Sequence, residues 1–486
     1  MSTVSTVRRV LLPGPLGAVL ALATAALLAP SFLAAGSPFD EGILVSFPTR
    51  VLAGDVPYRD FETFYGPGEP YLVAGLFRVF GAGLGVERAV GFAFRLLLVV
   101  ALFVCLRRFG ELPALAGGVL AACLVAADGV NADNHVTALA LSVVALVALE
   151  RGRLLPAGLA AGGAALFSAE FAVVAPLAAA PLLLRRRGLG SFGAGFAVAL
   201  VPYVPLAVAA GSHRIGKNVH DLLATGRDRR LPITLGSESG RLLVALFAAL
   251  VLLALASRGR PVLASLLVLA TFQALYGLWR ADPKHLATAA VVPLAAAPTA
   301  ASLLLRRRPV AAALGAAAAL LLVLASVHYV SGGVSRNAKL VVGRAPVHVV
   351  SYGGRSFRLE SAADARDLRR AIAAEARLAG PGGRIFVGPR DLRRTAGNDA
   401  FVYYLLPQQR PASFYVELDP VASRAGSGLA SDLRHADTLL LGGPWDALHE
   451  PNASSHDGSP AANEVVARLF CRRGRFGTYE LFARCG

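Results

Sequence analysis

The chain has 486 residues, 55% of them hydrophobic and 16% charged, with a formal net charge of +17 at pH 7 and a mean hydropathy of +0.57. So apolar a composition places it among polytopic membrane proteins and excludes an ordinary soluble globule. The positive charge does not mark a nucleic-acid binder, because the arginines sit mostly in short runs between apolar stretches, where they orient membrane helices.

Crossing a bilayer as a helix takes about 20 apolar residues. Candidate spans fall at 10–35, 88–106, 112–128, 135–150, 154–168, 170–184, 191–211, 241–257, 260–279, 285–305 and 309–330. The first follows Arg8 and Arg9. It is longer than the apolar core of a cleaved signal and reads as a retained span, although Ala34-Ala35-Gly36 would suit a cleavage site. The stretch 154–184 reads either as two spans or as one re-entrant pair. Arginines at 8–9, 107–108, 151 and 153, 185–187, 258 and 260, and 306–308 fall on every second loop. Assigning all of these to the cytoplasm gives about eleven spans, with the N-terminus inside and the C-terminus outside. The expected architecture is a mainly α polytopic membrane domain over 1–330, with its first outer loop at 36–87, followed by a soluble extracytoplasmic α/β domain over 331–486.

In that second domain, 347–350, 384–387, 414–417 and 438–441 read as strands, 362–378 and 460–470 as helices, and 475–484 as an edge strand of a hairpin. Cys471 and Cys485 flank the hairpin and are a candidate disulfide if the domain lies outside the cytoplasm. Cys105 and Cys123 lie in apolar spans as packing residues. Asn452-Ala453-Ser454 matches a glycosylation sequon, a pattern common by chance. No CxxC, HExxH or spaced His/Cys cluster occurs, so no zinc site is expected.

The outer loops differ chemically from the inner ones. They carry Asp40, Glu41, Asp55, Asp60 and Glu62, then Asp128, Asp133, Asn134 and His135, then Glu170, and later Arg280, Asp282, Lys284 and His285. Acids contribute little to orientation, so their grouping on one side points to an outer-face site. Between them, 212–240 places His213, Arg214, Lys217, Arg227, Arg229 and Arg230 against the orientation rule. That suits either an anionic lipid phosphate or a solvated interfacial helix. His135 alone reads as structural.

The first loop then carries a resemblance. An acidic pair just after the first span, "RVLAGDVPYRDF", "YGPGEPYLVAGLFRVFG" and Arg88 resemble the GT-C superfamily of polytopic glycosyltransferases, of the bacterial protein-mannosyltransferase and aminoarabinose-transferase type (glycosyltransferase family 39-like). The likeness is specific over 39–88, loose to about 330, and general beyond. "AGLAAGGAALFSAEFAVV" (157–174) is similar to a Gly-rich span of that family. One departure is that the Lys-Pro of some relatives is Gly-Pro-Gly-Glu-Pro here. The resemblance implies transfer of a sugar from a polyprenyl-phosphate carrier, outside a bacterial cytoplasmic membrane, to a protein, lipid or glycan acceptor. It implies Asp40 as the catalytic acid with Glu41 beside it, and a second acid, Asp128 or Asp133, that supports it or holds a divalent cation (Mg or Mn). No other cofactor and no nucleic-acid partner are expected. The departing phosphate needs cations, for which Arg88, Arg214, Lys217, Arg229, Arg280 and Lys284 are candidates, with Asp282 and His285 beside them. The bland alternative for Asp40 and Glu41 is an N-cap. The rival functions are a non-catalytic lipid- or glycan-binding protein of the same kind and a transporter of lipid-linked substrates. The scarcity of charge within the spans, Arg95 excepted, speaks against the transporter.

Overall fold

The structure, a computed structural model, describes residues 14–185, 188–305, 331–395, 397–447 and 450–486. The expected span at 309–330 and the arginines at 8–9, 186–187 and 306–308 lie outside the described residues. In chain order the helices are α1 (Gly14–Leu28), α2 (Asp40–Leu52), α3 (Gly68–Phe80), α4 (Leu84–Leu106), α5 (Glu111–Ala127), α6 (Asn134–Glu150), α7 (Leu154–Phe167) and α8 (Phe171–Leu183). They continue with α9 (Leu189–Leu200), α10 (Tyr203–Ala210), α11 (Ser212–Asp228), α12 (Glu238–Ser257), α13 (Pro261–Arg280) and α14 (Pro283–Leu305), then α15 (Ala362–Ala379) and α16 (Ala461–Leu469).

The apolar stretches therefore form helices nearly where their hydropathy places them, and local chemistry sets the ends. Asp133 caps α6 by accepting from the N–H groups of His135 and Val136. The Ser237 side chain caps α12 at Gly240 N–H, and Ala281 in the left-handed region closes α13. Among the described residues, five segments are long and apolar enough to cross a membrane: Gly14–Leu33, Leu84–Phe109, α12, α13 and α14; α9 with α10 makes a sixth if taken as one broken span. Helices α5 to α8 are apolar but run only 13 to 17 residues. At about 1.5 Å per residue they fall short of a hydrocarbon core of roughly 30 Å. About eleven crossings is thus more than length and composition among the described residues support.

The chain forms two compact units that interleave in sequence. The first comprises Met1–Phe32, Ala89–Pro202 and Pro232–Gly343. Its core is built from leucine, valine and alanine of α4 to α8 and α12 to α14. Glycines bring these backbones close. A Cβ on Gly158 would lie 2.0 Å from Phe192 O, one on Gly195 2.3 Å from Leu155 O, and one on Gly117 1.9 Å from Ala295 O. Small residues at helix contacts are how apolar helices gain packing in a bilayer, where burial against lipid gives no drive.

The second unit comprises Leu33–Arg88, Tyr203–Leu231 and Arg344–Gly486. It holds a hairpin of β1 (His348–Tyr352) and β2 (Arg355–Leu359) and a five-stranded sheet of β3 (Arg384–Gly388), β4 (Arg410–Pro411), β5 (Thr438–Gly442), β6 (Phe470–Phe476) and β7 (Tyr479–Arg484). The sheet order is β4-β3-β5-β7-β6, with β3 parallel to β4 and β5 and the last two pairings antiparallel. The first loop is tied to this layer: Gly36 N–H donates to Arg358 O at 2.8 Å and Ser46 Oγ to Ala400 O at 2.8 Å.

Three expectations for this region change. The stretch 475–484 is not one edge strand, since β6 forms the edge and β7 lies between β5 and β6. The apolar run 414–417 forms no strand; its carbonyls accept from outside any ladder, Phe414 O from Glu62 N–H and Val416 O from Asn398 Nδ2, while Tyr415 Oη donates to Ser427 O. The sequon is not presented, because Asn452 is buried and its amide donates to Thr395 O. Cys471 and Cys485 are bonded to each other.

Candidate functional site

In the second unit the expected acids open α2. Asp40 is its first residue; its N–H is capped by Ser37 Oγ at 3.2 Å, and that hydroxyl lies 3.3 Å from Asp40 Oδ2. The carboxylate is half-buried at the positive end of the helix dipole. Glu41, 4% exposed, meets Arg88, 2% exposed, in a two-point fork: Nε donates to Oε1 at 2.7 Å and Nη2 to Oε2 at 2.9 Å, while Nη1 donates to Ala34 O. Their charges are matched to each other, so this pair fixes the entry to α2. Gly36 is required there, since a Cβ would lie 2.4 Å from Glu41 Oε2.

Arg229 sits beside this turn. It lies over the Phe39 ring at 5.8 Å, donates to Asp419, faces Glu450 at 3.5 Å, and is influenced by the Asp40 charge. Burial and then repulsion from Asp419 push the Glu417 carboxyl well above its usual range, as they do for Glu62, where Asp221 also repels. Glu62 has no partner for either oxygen among the described residues. Lys217 pairs with Asp221 at 2.5 Å, and exposed Arg214 reaches only Arg59 O at 3.4 Å. Other loop acids build the loop. Asp55 pairs with Arg50 at 2.7 Å, and Asp60 accepts from Val56 N–H at 2.7 Å.

In the first unit, polar groups gather at the ends of apolar helices. Arg95 on α4 donates to Asp128 Oδ2 at 3.0 Å and to Asn131 Oδ1 at 2.7 Å. Its charge and that of Lys284 act on both Asp128 and Asp133. Asp133 caps α6, so the two candidate second acids have distinct roles: one pairs with Arg95, the other ends a helix. Asp282 accepts from Arg280 Nε at 2.6 Å and lies 2.9 Å from His285 Nδ1. Burial raises the Asp282 carboxyl, but the His285 and Arg280 contacts outweigh it and hold the group well below the usual carboxylate range. The Tyr276 ring stacks on His135 at 3.5 Å and stands 5.4 Å from His285. His135 in turn meets Glu170 at 3.2 Å and Gln273 at 2.7 Å.

The structure thus collects Asp40, Glu41, Arg88 and Arg229 within the second unit, and Asp128, Asp133, Arg280, Asp282, Lys284 and His285 within the first. Arg214 and Lys217 stay at the surface of α11. Sequence reasoning missed the pairing of Glu41 with Arg88, the acids around Arg229, and the neighbours of His135. Only Arg95, a lone charge inside an apolar span, carried a visible signal of its partner. Among the described residues no three His, Cys, Asp or Glu side chains are placed to hold a metal ion.

No protein-family model matches the chain, and no curated protein matches it in sequence. Solved structures do. ArnT from Cupriavidus metallidurans bound to undecaprenyl phosphate is 15% identical with a TM-score of 0.53, covering 96% of this chain and 98% of that one. The same protein in the apo state gives 14% identity and 0.50 over 96% and 97%. An Archaeoglobus fulgidus oligosaccharyltransferase complex with Zn and sulfate is 12% identical at 0.48, covering 96% of this chain and 73% of that one. At such identities the likeness to ArnT is one of fold, and over nearly its whole length the chain is similar in fold to the GT-C proteins that its first loop resembles in sequence.

Proposed function

We propose that the chain is a membrane glycosyltransferase that moves a sugar from a polyprenyl-phosphate carrier to an acceptor on the outer face of a bacterial cytoplasmic membrane. In this reading the N-terminus is cytoplasmic, the soluble α/β domain lies outside, and the shorter apolar helices also cross, for about eleven spans in all. The observation that carries it is the fold shared along nearly all of both chains with ArnT, whose structure holds undecaprenyl phosphate. The bonded Cys471 and Cys485 support an oxidising, extracytoplasmic setting for the second unit.

Asp40 is the base. It takes the proton of the acceptor hydroxyl while that oxygen bonds to the anomeric carbon from the face opposite the phosphate. The bond from this carbon to the phosphate oxygen breaks, and the carrier phosphate leaves with an added negative charge. Glu41, locked to Arg88, keeps the first turn of α2 in place. Arg229 lies where its charge acts on Asp40. No step is routed through a metal.

The test is release of polyprenyl phosphate from polyprenyl-phosphate sugars by the purified chain in lipid nanodiscs. Asp40→Asn is expected to lower the rate about 10²- to 10⁴-fold with unchanged thermal unfolding. Full transfer by that variant overturns the assignment.

A further inference from the structure

Glu170 stands at the start of α8 yet does not cap it. Its Oε1 instead receives Ser168 Oγ at 2.6 Å and faces His135 Nδ1 at 3.2 Å. The other ring nitrogen of His135 faces Gln273 Oε1 at 2.7 Å. Each ring nitrogen of His135 thus faces an oxygen, one of a carboxylate and one of an amide, and the ring holds Glu170 Oε1 against Gln273. Tyr276 covers one face of the ring, with its centroid at 3.5 Å, and Phe171 meets it edge-on. His135 is thus enclosed and 4% exposed, while the Glu170 side chain remains 34% exposed.

The result is a carboxylate with one oxygen saturated and aimed by a buried support. Its other oxygen, Oε2, has no side-chain partner among the described residues. A purely structural carboxylate would gain by capping α8, and this one does not; its backbone bond is to its own N–H. A second group nearby is also unmet. Asn134, one residue before His135 and 1% exposed, has no partner for Oδ1 or Nδ2 among the described residues. Buried donors and acceptors left open cost free energy unless a polar ligand or water completes them. The same unit carries Arg95, Lys284 and Arg280, the charges a sugar phosphate would need alongside hydrogen-bond acceptors for its hydroxyls.

We propose that Glu170 binds the sugar of the donor by accepting a hydrogen bond from a sugar hydroxyl at Oε2, and that His135 and Gln273 are positioning residues that aim it. This rests on the transferase reading above.

Two probes separate the contributions: undecaprenyl phosphate alone, and undecaprenyl phosphate carrying glucose. Both are titrated into the full chain in nanodiscs. Glu170→Gln is expected to weaken the glucose-bearing probe about tenfold or more and to leave the bare carrier unchanged. Glu170→Asp should recover part of the loss. His135→Phe, which keeps the stacking on Tyr276 but not the donor, should give a smaller loss for the same probe alone. The proposal is overturned if Glu170→Gln binds both probes as the unaltered chain does, or loses both equally. An unaltered chain that binds neither probe overturns the transferase reading and this proposal together, an outcome distinct from the other two.

Discussion

Each unit buries an arginine against a carboxylate, and the two pairs do different work. In the second unit, Arg88 and Glu41 form a closed fork with almost no exposure, inside a loop folded onto an α/β layer. In the first, Arg95 reaches Asp128 but also takes carbonyl and amide oxygens of the 128–133 loop. The fork joins two charges at two points, with Ala34 O on the remaining Arg88 nitrogen, and each charge is costly without the other. The Arg95 cluster spreads one charge over several acceptors, which tolerates loss of any single one.

The comparison is most exposed to a break at Arg88. Arg88→Met leaves a buried uncompensated Glu41 and is expected to lower stability of the second unit by about 3–5 kcal/mol. Amide exchange across α2 in the full chain reads the loss, and adding Glu41→Gln should restore most of it. Arg95→Met should cost less and loosen the 128–133 loop instead. Equal losses in the two units would erase the distinction.

A pH scan sharpens the contrast further. Burial pushes the Asp399 carboxyl up to about 6 from its ordinary 3.8, against the opposing bonds from Tyr479 Oη at 2.7 Å and Trp445 Nε1 at 2.8 Å. Folding thus favours the protonated form. The resulting stability is complete below the ordinary value and disappears as pH rises through about 6. The span is at most about 3 kcal/mol. Protection factors of β5 and β7 should fall from pH 4 to pH 7, and Asp399→Asn should flatten that slope. A flat slope in the unaltered chain would refute it. The smallest effect concerns packing in the first unit. Gly158→Ala has no room beside Phe192 O and should cost about 1–3 kcal/mol, seen as faster exchange in α7 and α9 with the second unit unchanged.

The helices of the first unit were legible because a 20-residue apolar run has few other fates, and glycine, proline and arginine punctuate it. The crossings were less legible, since hydropathy marks α5 to α8 as apolar without giving their lengths of 13 to 17 residues. In the second unit, 414–417 reads as a strand because a short aromatic and β-branched run reports burial, and burial here comes without ladder pairing. The acids of the first loop were found by type and place. What each does was not visible, because Asp40, Glu41, Asp55 and Asp60 are alike in sequence and differ only in the arginine, hydroxyl or amide that faces them. His135 shows the same limit. A lone histidine in an apolar run looks structural until Glu170 and Gln273, far along the chain, are seen against it.

The placement of β7 sets the order in which the second unit can mature. A strand from residues 479–484 fills the gap between β5 and β6, so β5 has an open edge until that segment has been made and delivered. Parts of the first loop and of α11 that belong to the same unit emerge hundreds of residues earlier and must wait beside the membrane. Such an edge invites pairing with other chains. The rate at which 479–484 is made would therefore bear on yield alongside the final stability.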